Sequence, residues 1–296
     1  MTATTTGPVV VGIDGSDDGT RALHYAIALA RREDLPLRLV HVASQTAMYA
    51  PMLPYLPELR VQELGESVLQ EAEKVAVEAG WEQDRLQTVR ADGPRTPALM
   101  ANSHDAAHIV LGTRSSVMEH LFTGSTSLGV AARAEAPVHC VPRGREEAIA
   151  PTGVLVAGLE GTPADLDVLE ETFRQAATRG AQVRLVHAWR PVNIYDVAIM
   201  GRTSRADWER AARELLDTIV DKVAVRHPDV VWELRLDYQR TPLALHAAAE
   251  SADLLLLGRH GHHAPRGSRV GSNTRTLLRT ATRPVVVVPV HHTAEG

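Results

Sequence analysis

The strongest constraint on this chain is that it contains itself twice. VVVGIDGSDDGTRAL at 9–23 returns as LVAGLEGTPADLDVL at 155–169, and LRLVHVA at 37–43 as VRLVHAW at 183–189. RADGPRTPAL at 90–99 returns as RLDYQRTPLA at 235–244, and APVHCVP at 136–142 as RPVVVVP at 283–289. All four offsets lie between 145 and 147 residues. A period of that size is one ordinary domain duplicated, not a solenoid of short units. The joint falls in PRGREEAIAPTG at 142–153, which is charged and carries Pro and Gly, so we read two domains, 1–146 and 147–296.

Each copy alternates short apolar runs with helical patterns. VVVGI is a buried strand, followed by a turn and a helix at 17–32 with Leu23, Ala26, Ile27 and Ala30 on one face. In the second copy Thr162-Pro163-Ala164-Asp165 resembles a capping box, with Thr162 as the cap. A second strand precedes a long helix marked by Val61, Leu64, Val68, Ala72, Val75 and Ala79; the matching stripe is Trp208, Ala212, Leu215, Ile219 and Val223. Strand three (86–91; 232–237), a helix (96–105; 241–251), strand four (108–112; 253–258), a glycine loop, a helix and strand five complete each copy. Strands separated by helices pair in parallel through right-handed crossovers, and near-continuous apolar strands imply a sheet covered on both faces. The expected fold is therefore α/β: two tandem doubly wound sandwiches, each with a five-stranded parallel sheet.

Composition narrows the function. Apolar residues make up 44% and aromatics only 4%, so the cores are built from Val, Leu, Ile and Ala. A net charge of −5 without a basic run argues against nucleic acid or an anionic membrane surface as partner. No apolar run approaches the roughly 18 residues that span a bilayer, and no signal-peptide pattern opens the chain, so a cytoplasmic location is expected. The single cysteine, Cys140, excludes an intrachain disulfide and a multi-cysteine metal site; inside a strand pattern it reads as a buried structural thiol rather than a reactive one.

The chemistry sits after strand four. LLLLGRHGHHAPRGSRVGSNT (254–274) ends a buried strand on Gly258, crosses a polar loop through Gly261, and opens a helix on Gly271-Ser272-Asn273-Thr274. In doubly wound sheets ligands bind beyond the carboxyl ends of the strands. Free amides at a helix start attract anions, glycine lets a ligand approach the backbone, and Ser272 and Thr274 add hydroxyls. Arg259, Arg266, Arg269 and Arg275 add positive charge, so the stretch reads as a phosphate cradle. It is neither GxxxxGK[ST] nor GxGxxG after strand one.

The spacing G-x2-G-x9-G-[ST] after strand four resembles the nucleotide loop of the universal stress protein family. The acidic turn after strand one, the HV of strand two and the PVxxVP last strand extend that resemblance over nearly the whole chain, in two copies. The resemblance implies an adenine-nucleotide alpha-hydrolase-like fold that holds ATP, commonly with Mg2+, at the sheet's carboxyl edge. The implied contacts in copy two are Gly258, His260, Gly261, Gly271, Ser272, Asn273 and Thr274 for phosphates, with Glu160 and Ala188 on the nucleoside side. In copy one they are Asp14, Val42, Gly112, Ser115, Gly124, Ser125 and Ser127. Copy one departs from the pattern at Ser115 and has a shorter loop; copy two departs by having Glu160 where copy one has Asp14. Copy two is therefore expected to be the stronger site. The family also implies pairing of the two halves along their last strands, a pseudo-dimer within the chain, and a homodimer of chains.

Competing readings stand beside these. Asp14 in DGSDDG fits an Asx turn as well as a nucleotide contact, and the longer Glu160 reaches a ribose hydroxyl or crowds the pocket. Histidines 260, 262 and 263 lack partners at zinc-site spacing, and His41 and His187 read as sheet residues. The apolar-rich loops 44–58 and 190–204 are a structural cover, a lid or a subunit contact. No GxSxG elbow or Cys/His pair indicates an enzyme. The expected function is a nucleotide-dependent stress-response regulator with an unknown protein partner. An interaction module with vestigial sites and a slow ATPase stay open.

Overall fold

The computed structural model describes residues 6–43, 58–113, 126–143, 151–190, 204–259 and 270–291. The chain divides into two compact units, Met1–Arg143 and Gly144–Gly296. The N-terminal unit contains β1 (Val9–Ile13), α1 (Asp17–Glu33), β2 (Leu37–Ala43), α2 (Glu58–Glu78), β3 (Leu86–Asp92), α3 (Arg95–Ala101), β4 (His108–Thr113), α4 (Thr126–Ala131) and β5 (Val138–Pro142). Its strands lie in the order β3-β2-β1-β4-β5, and every pair is parallel. The C-terminal unit repeats the plan with β6 (Val154–Gly158), α5 (Asp165–Arg179), β7 (Gln182–Ala188), α6 (Arg205–Ala224), β8 (Trp232–Asp237), α7 (Thr241–Glu250), β9 (Leu254–Gly258), α8 (Ser272–Thr280) and β10 (Val285–Val288). Its order is β8-β7-β6-β9-β10, again parallel throughout. Each unit is thus a doubly wound α/β sandwich with a five-stranded sheet, as the alternating pattern predicts.

The cores follow from the buried runs. Val9, Val11, Leu37 and Leu39 pack against Leu23, Ala26, Ile27 and Ala30 of α1 and against Ala72 and Ala76 of α2. In the second unit Val156, Leu255, Leu257 and Val285 pack against Ala244, Leu245 and Ala249 of α7 and Leu277 of α8. The repeats even share one tight spot. A β-carbon at Gly12 would stand 2.6 Å from Leu111 and one at Gly158 would stand 2.9 Å from Leu257, the same two positions of the repeat. Cys140 is buried, and burial pushes its thiol up to about 12, so it is not a nucleophile at neutral pH.

Three local expectations change. Thr162 does not cap α5. The cap position is Ala164, without a side-chain bond, and of the expected capping box only the reverse bond forms, the Asp165 carboxylate accepting the Thr162 amide. In α1 the equivalent Ser16 does cap, accepting the Gly19 amide. On α6, Trp208 and Leu215 are 38% and 51% exposed; the buried face is Leu216, Ile219, Val220 and Val223. Finally α3 ends at Ala101, short of residue 105, because the Asn102 and Ser103 side chains bond back to Ala98 and Leu99 carbonyls and draw off the helix end.

Polar clusters recur with their charges exchanged. Arg38 donates to Gln87 and, through two nitrogens, to Asp105 at 2.6 and 2.9 Å. Arg184 at the repeat position donates to Glu233 at 2.7 Å and to Ser251 at 3.0 Å. One arginine keeps one acid, drawn from either of two positions. The Arg38 hydrogen bond holds the Asp105 carboxyl below its ordinary value. A depressed carboxylate stabilises the fold above its unfolded pKa, and that contribution disappears as pH falls through the folded value. Arg38→Ala is therefore expected to cost about 1 kcal/mol at pH 7, with solvent screening of the half-exposed acid included, and little below pH ~2. Urea denaturation at the two pH values checks the difference.

Candidate functional site

In both units the strand order reverses at the first strand, between β1 and β4 and between β6 and β9. The chain leaves β1 and β6 to one side and β4 and β9 to the other, which opens a crevice at the carboxyl edge. In the C-terminal unit this crevice is lined by Gly158, Glu160, Asp165, Thr241, Gly258, Asn273 and Thr274, among others. Its enclosed volume is about 30 Å³, room for one or two waters.

On one wall, β9 ends at Gly258 and α8 begins after Gly271. Gly271 is the cap of α8, at φ −60° and ψ 154°, and offers no side-chain bond to the first-turn amides. Its own amide donates to the Arg259 carbonyl at 3.0 Å, fixing the helix start to the strand end. Thr274 is buried and its hydroxyl donates to the Gly258 carbonyl at 3.2 Å. That proton is used inside the protein, so Thr274 braces the cradle. Ser272 is exposed and Asn273 half-buried at the mouth.

On the other wall lies the turn after β6. The Asp165 carboxylate reaches back from α5 and accepts the amides of Glu160 at 3.0 and 3.1 Å, Gly161 at 2.7 Å and Thr162 at 3.1 Å. Burial raises its pKa above the ordinary carboxylate value, while the three amides, and more weakly His187, pull against that rise. Gly161 turns the chain at φ 78°, as Gly15 does at φ 76° in the first unit, a conformation that suits glycine. Glu160 itself is exposed. The Ala188 carbonyl at the end of β7 accepts a long, 3.5 Å bond from the Thr241 hydroxyl.

The histidines of strand two hold these turns. His187 Nδ1 faces the Leu159 carbonyl at 3.0 Å and His41 Nδ1 faces the Ile13 carbonyl at 2.8 Å. A nitrogen facing a carbonyl oxygen carries the proton. Each imidazole thus donates to the last residue before the strand-end acid. Gly65 of α2 leaves room for the His41 ring, from which a β-carbon would be 3.3 Å away.

The N-terminal unit brings Asp14, Gly112 and Ser127 to the same edge. Asp14 accepts the Ser16 amide at 3.1 Å and the Ser16 hydroxyl, an Asx turn. Ser127 donates to the Gly112 carbonyl at 3.0 Å, the counterpart of Thr274. Val42 is buried at the end of β2. His260, Gly261, Ser115, Gly124 and Ser125 lie outside the described residues, as do most of the apolar-rich loops at 44–58 and 190–204.

With that geometry in view, the comparisons decide the family. The model of the universal stress protein family matches residues 5–142 and again 153–289. The chain belongs to the universal stress protein family. A curated universal stress protein of Mycolicibacterium smegmatis is 27% identical over 286 residues, covering 95% of this chain and 96% of its own. One from Mycobacterium tuberculosis strain H37Rv is 27% identical over 292 residues, covering 94% and 96%. The crystal structure of a universal stress protein from Archaeoglobus fulgidus covers 97% of both chains with a TM-score of 0.72 at 15% identity, which shows the shared fold. This tandem universal stress protein has no helix among its described residues long and apolar enough to cross a membrane.

Sequence reading missed two parts of the site. Asp165 entered only as a residue suited to a helix start, although its repeat counterpart is Gly19 and the adjacent acid also changes, from Asp14 to Glu160. The recurrence of His41 and His187 was visible, but a strand histidine does not disclose which carbonyl it meets.

Proposed function

We propose that this universal stress protein binds an adenine nucleotide, ATP with Mg2+, at the carboxyl edge of its C-terminal sheet and acts as a nucleotide-dependent regulator. The observation that carries this reading is the uncapped opening of α8 at Gly271, set beside Gly258 on the crevice formed where the strand order reverses. Unclaimed amides at the positive end of a helix favour a phosphate by about 0.3–1 kcal/mol per charge when exposed, more when sheltered. Asn273 and Ser272 border the same opening, and Arg275 is exposed on the first turn of α8. A magnesium ion accompanying the phosphates keeps most of its waters.

The small enclosed volume favours a second reading, an interaction module with vestigial sites, because a nucleotide enters only if the crevice widens. Gly271→Asp separates the two. Aspartate is a strong helix cap, and φ −60° with ψ 154° suits any residue, so the change stabilises α8 by a few tenths of a kcal/mol. It also puts a negative charge where a phosphate would sit. Calorimetric titration with Mg-ATP is expected to show binding to the unaltered protein and a loss of about 10-fold or more in the variant. No heat and no thermal shift with either protein would establish the interaction module.

A further inference from the structure

The turn after the first strand is closed by one carboxylate in each repeat, and the two repeats take it from different places. In the N-terminal unit the acid is Asp14, at the strand end. A β-carbon at Gly19 would stand 2.8 Å from its Oδ1. A side chain at position 19 therefore displaces an acid folded in from position 14. In the C-terminal unit the counterpart of Gly19 is Asp165, which enters the turn from the helix side and takes three consecutive amides. The strand-end acid, now Glu160, is exposed.

We propose that Asp165, and not Glu160, is the acid of the C-terminal crevice: it fills the anion seat of the turn, bars a ligand's phosphate from it, and presents an acceptor to a ligand hydroxyl such as that of a ribose. The hydroxyl part rests on the nucleotide reading above; the seat-filling part does not. Three successive amides around a glycine with positive φ make an anion-binding concavity. Here the resident carboxylate occupies it at 3% exposure, on the wall facing Gly258 and Asn273. An ionised carboxylate is acceptor-only, with about four lone-pair sites on two oxygens. Oδ2 takes the amides of Gly161 and Thr162 and shares that of Glu160 with Oδ1. The remaining capacity on Oδ1 suits a donor and repels an anion. Ligand phosphates are thereby confined to the opening of α8, which sets the orientation of the bound molecule.

Two measurements on the full chain test this, with Asp14→Asn as background so that the N-terminal acid does not report. The first is the thermal midpoint against inorganic phosphate. Phosphate is expected to stabilise Asp165→Gly, whose three amides are vacated, clearly more than the background protein and Glu160→Gln, in which only the opening of α8 takes it. The second is the affinity ratio of ATP to its 2′- and 3′-deoxy analogues. One of the two ratios is expected at about 10-fold or more in the background protein and in Glu160→Gln, and near unity in Asp165→Asn, since a lost bond to a charged acceptor is worth that factor. The exchange Glu160→Asp with Asp165→Gly, which recreates the N-terminal arrangement, is expected to fold and to restore the ratio. Equal stabilisation of every variant by phosphate, or a ratio that follows Glu160 instead of Asp165, overturns the proposal. If no protein binds ATP while phosphate still selects Asp165→Gly, the nucleotide reading fails and the seat assignment stands.

Discussion

Phe173→Ala is expected to lower the stability of the C-terminal unit by about 3–5 kcal/mol. The side chain is fully buried on the inner face of α5, in line with Val168, Leu169 and Ala176. The chain has only two phenylalanines, so its cores rely on aliphatic side chains, and such a neighbourhood cannot easily collapse around the volume of a missing ring. The ring also packs against His227, centroids 5.9 Å apart and tilted by 47°. Burial, aided by Arg226, lowers the His227 pKa. A cavity beside it admits water, so the variant is expected to return that pKa toward its ordinary value. Urea denaturation reads the stability, and NMR titration of the His227 ring reads the second effect. A loss under 1 kcal/mol with an unchanged histidine would mean that the core closes over the gap.

Gly112→Val is expected to destabilise the N-terminal unit by about 1–3 kcal/mol or more, through overpacking rather than loss of contact. A β-carbon at residue 112 would stand 2.5 Å from the Asp18 carbonyl oxygen and 2.7 Å from its carbon. These are backbone atoms in the first turn of α1 and cannot rotate aside, so the helix must lift from the end of β4. The lift also disturbs the Ser127 bond to the Gly112 carbonyl and the capped turn at Ser16. Gly112 thus has a packing reason to be glycine that is independent of any ligand. Alanine at the same position is expected to show a smaller loss of the same sign. A neutral Gly112→Val variant in thermal unfolding would contradict the close approach.

Much of this was legible in the sequence because duplication doubled the signal. Ten strands, their parallel pairing and a ligand crevice beyond their carboxyl ends follow from apolar runs that repeat at offsets of 145 to 147 residues. The failures share a physical origin. Spacing of three and four put Trp208 and Leu215 in line with Ile219 and Val223, yet Leu216 and Val220 share those last two residues. Which of two adjacent stripes is buried is decided by how α6 packs on α5 and the rest of its unit, which periodicity does not encode. Thr162 suits a cap by local rules, but the structured first turn starts after Ala164, and the Asp165 carboxylate, three residues on from Thr162, gathers the amides of Glu160, Gly161 and Thr162 with a full charge. The paired exchanges Asp14/Gly19 to Glu160/Asp165, and Gln87/Asp105 to Glu233/Ser251, are plain in the aligned repeats. Only the fold shows that each pair shares one volume or one arginine, so that each looks like two unrelated substitutions until the partners are brought together.

The central claim is that a nucleotide seats on the amides where β9 meets α8. The most direct measurement is an amide-resolved NMR titration of the full chain with Mg-ATP. The account predicts saturable shifts at Gly258 and at Gly271 to Thr274, larger than at the corresponding edge of the N-terminal unit around Gly112 and Ser127. Saturation with no movement at Gly271 to Thr274, or movement confined to residues away from that edge, would contradict it.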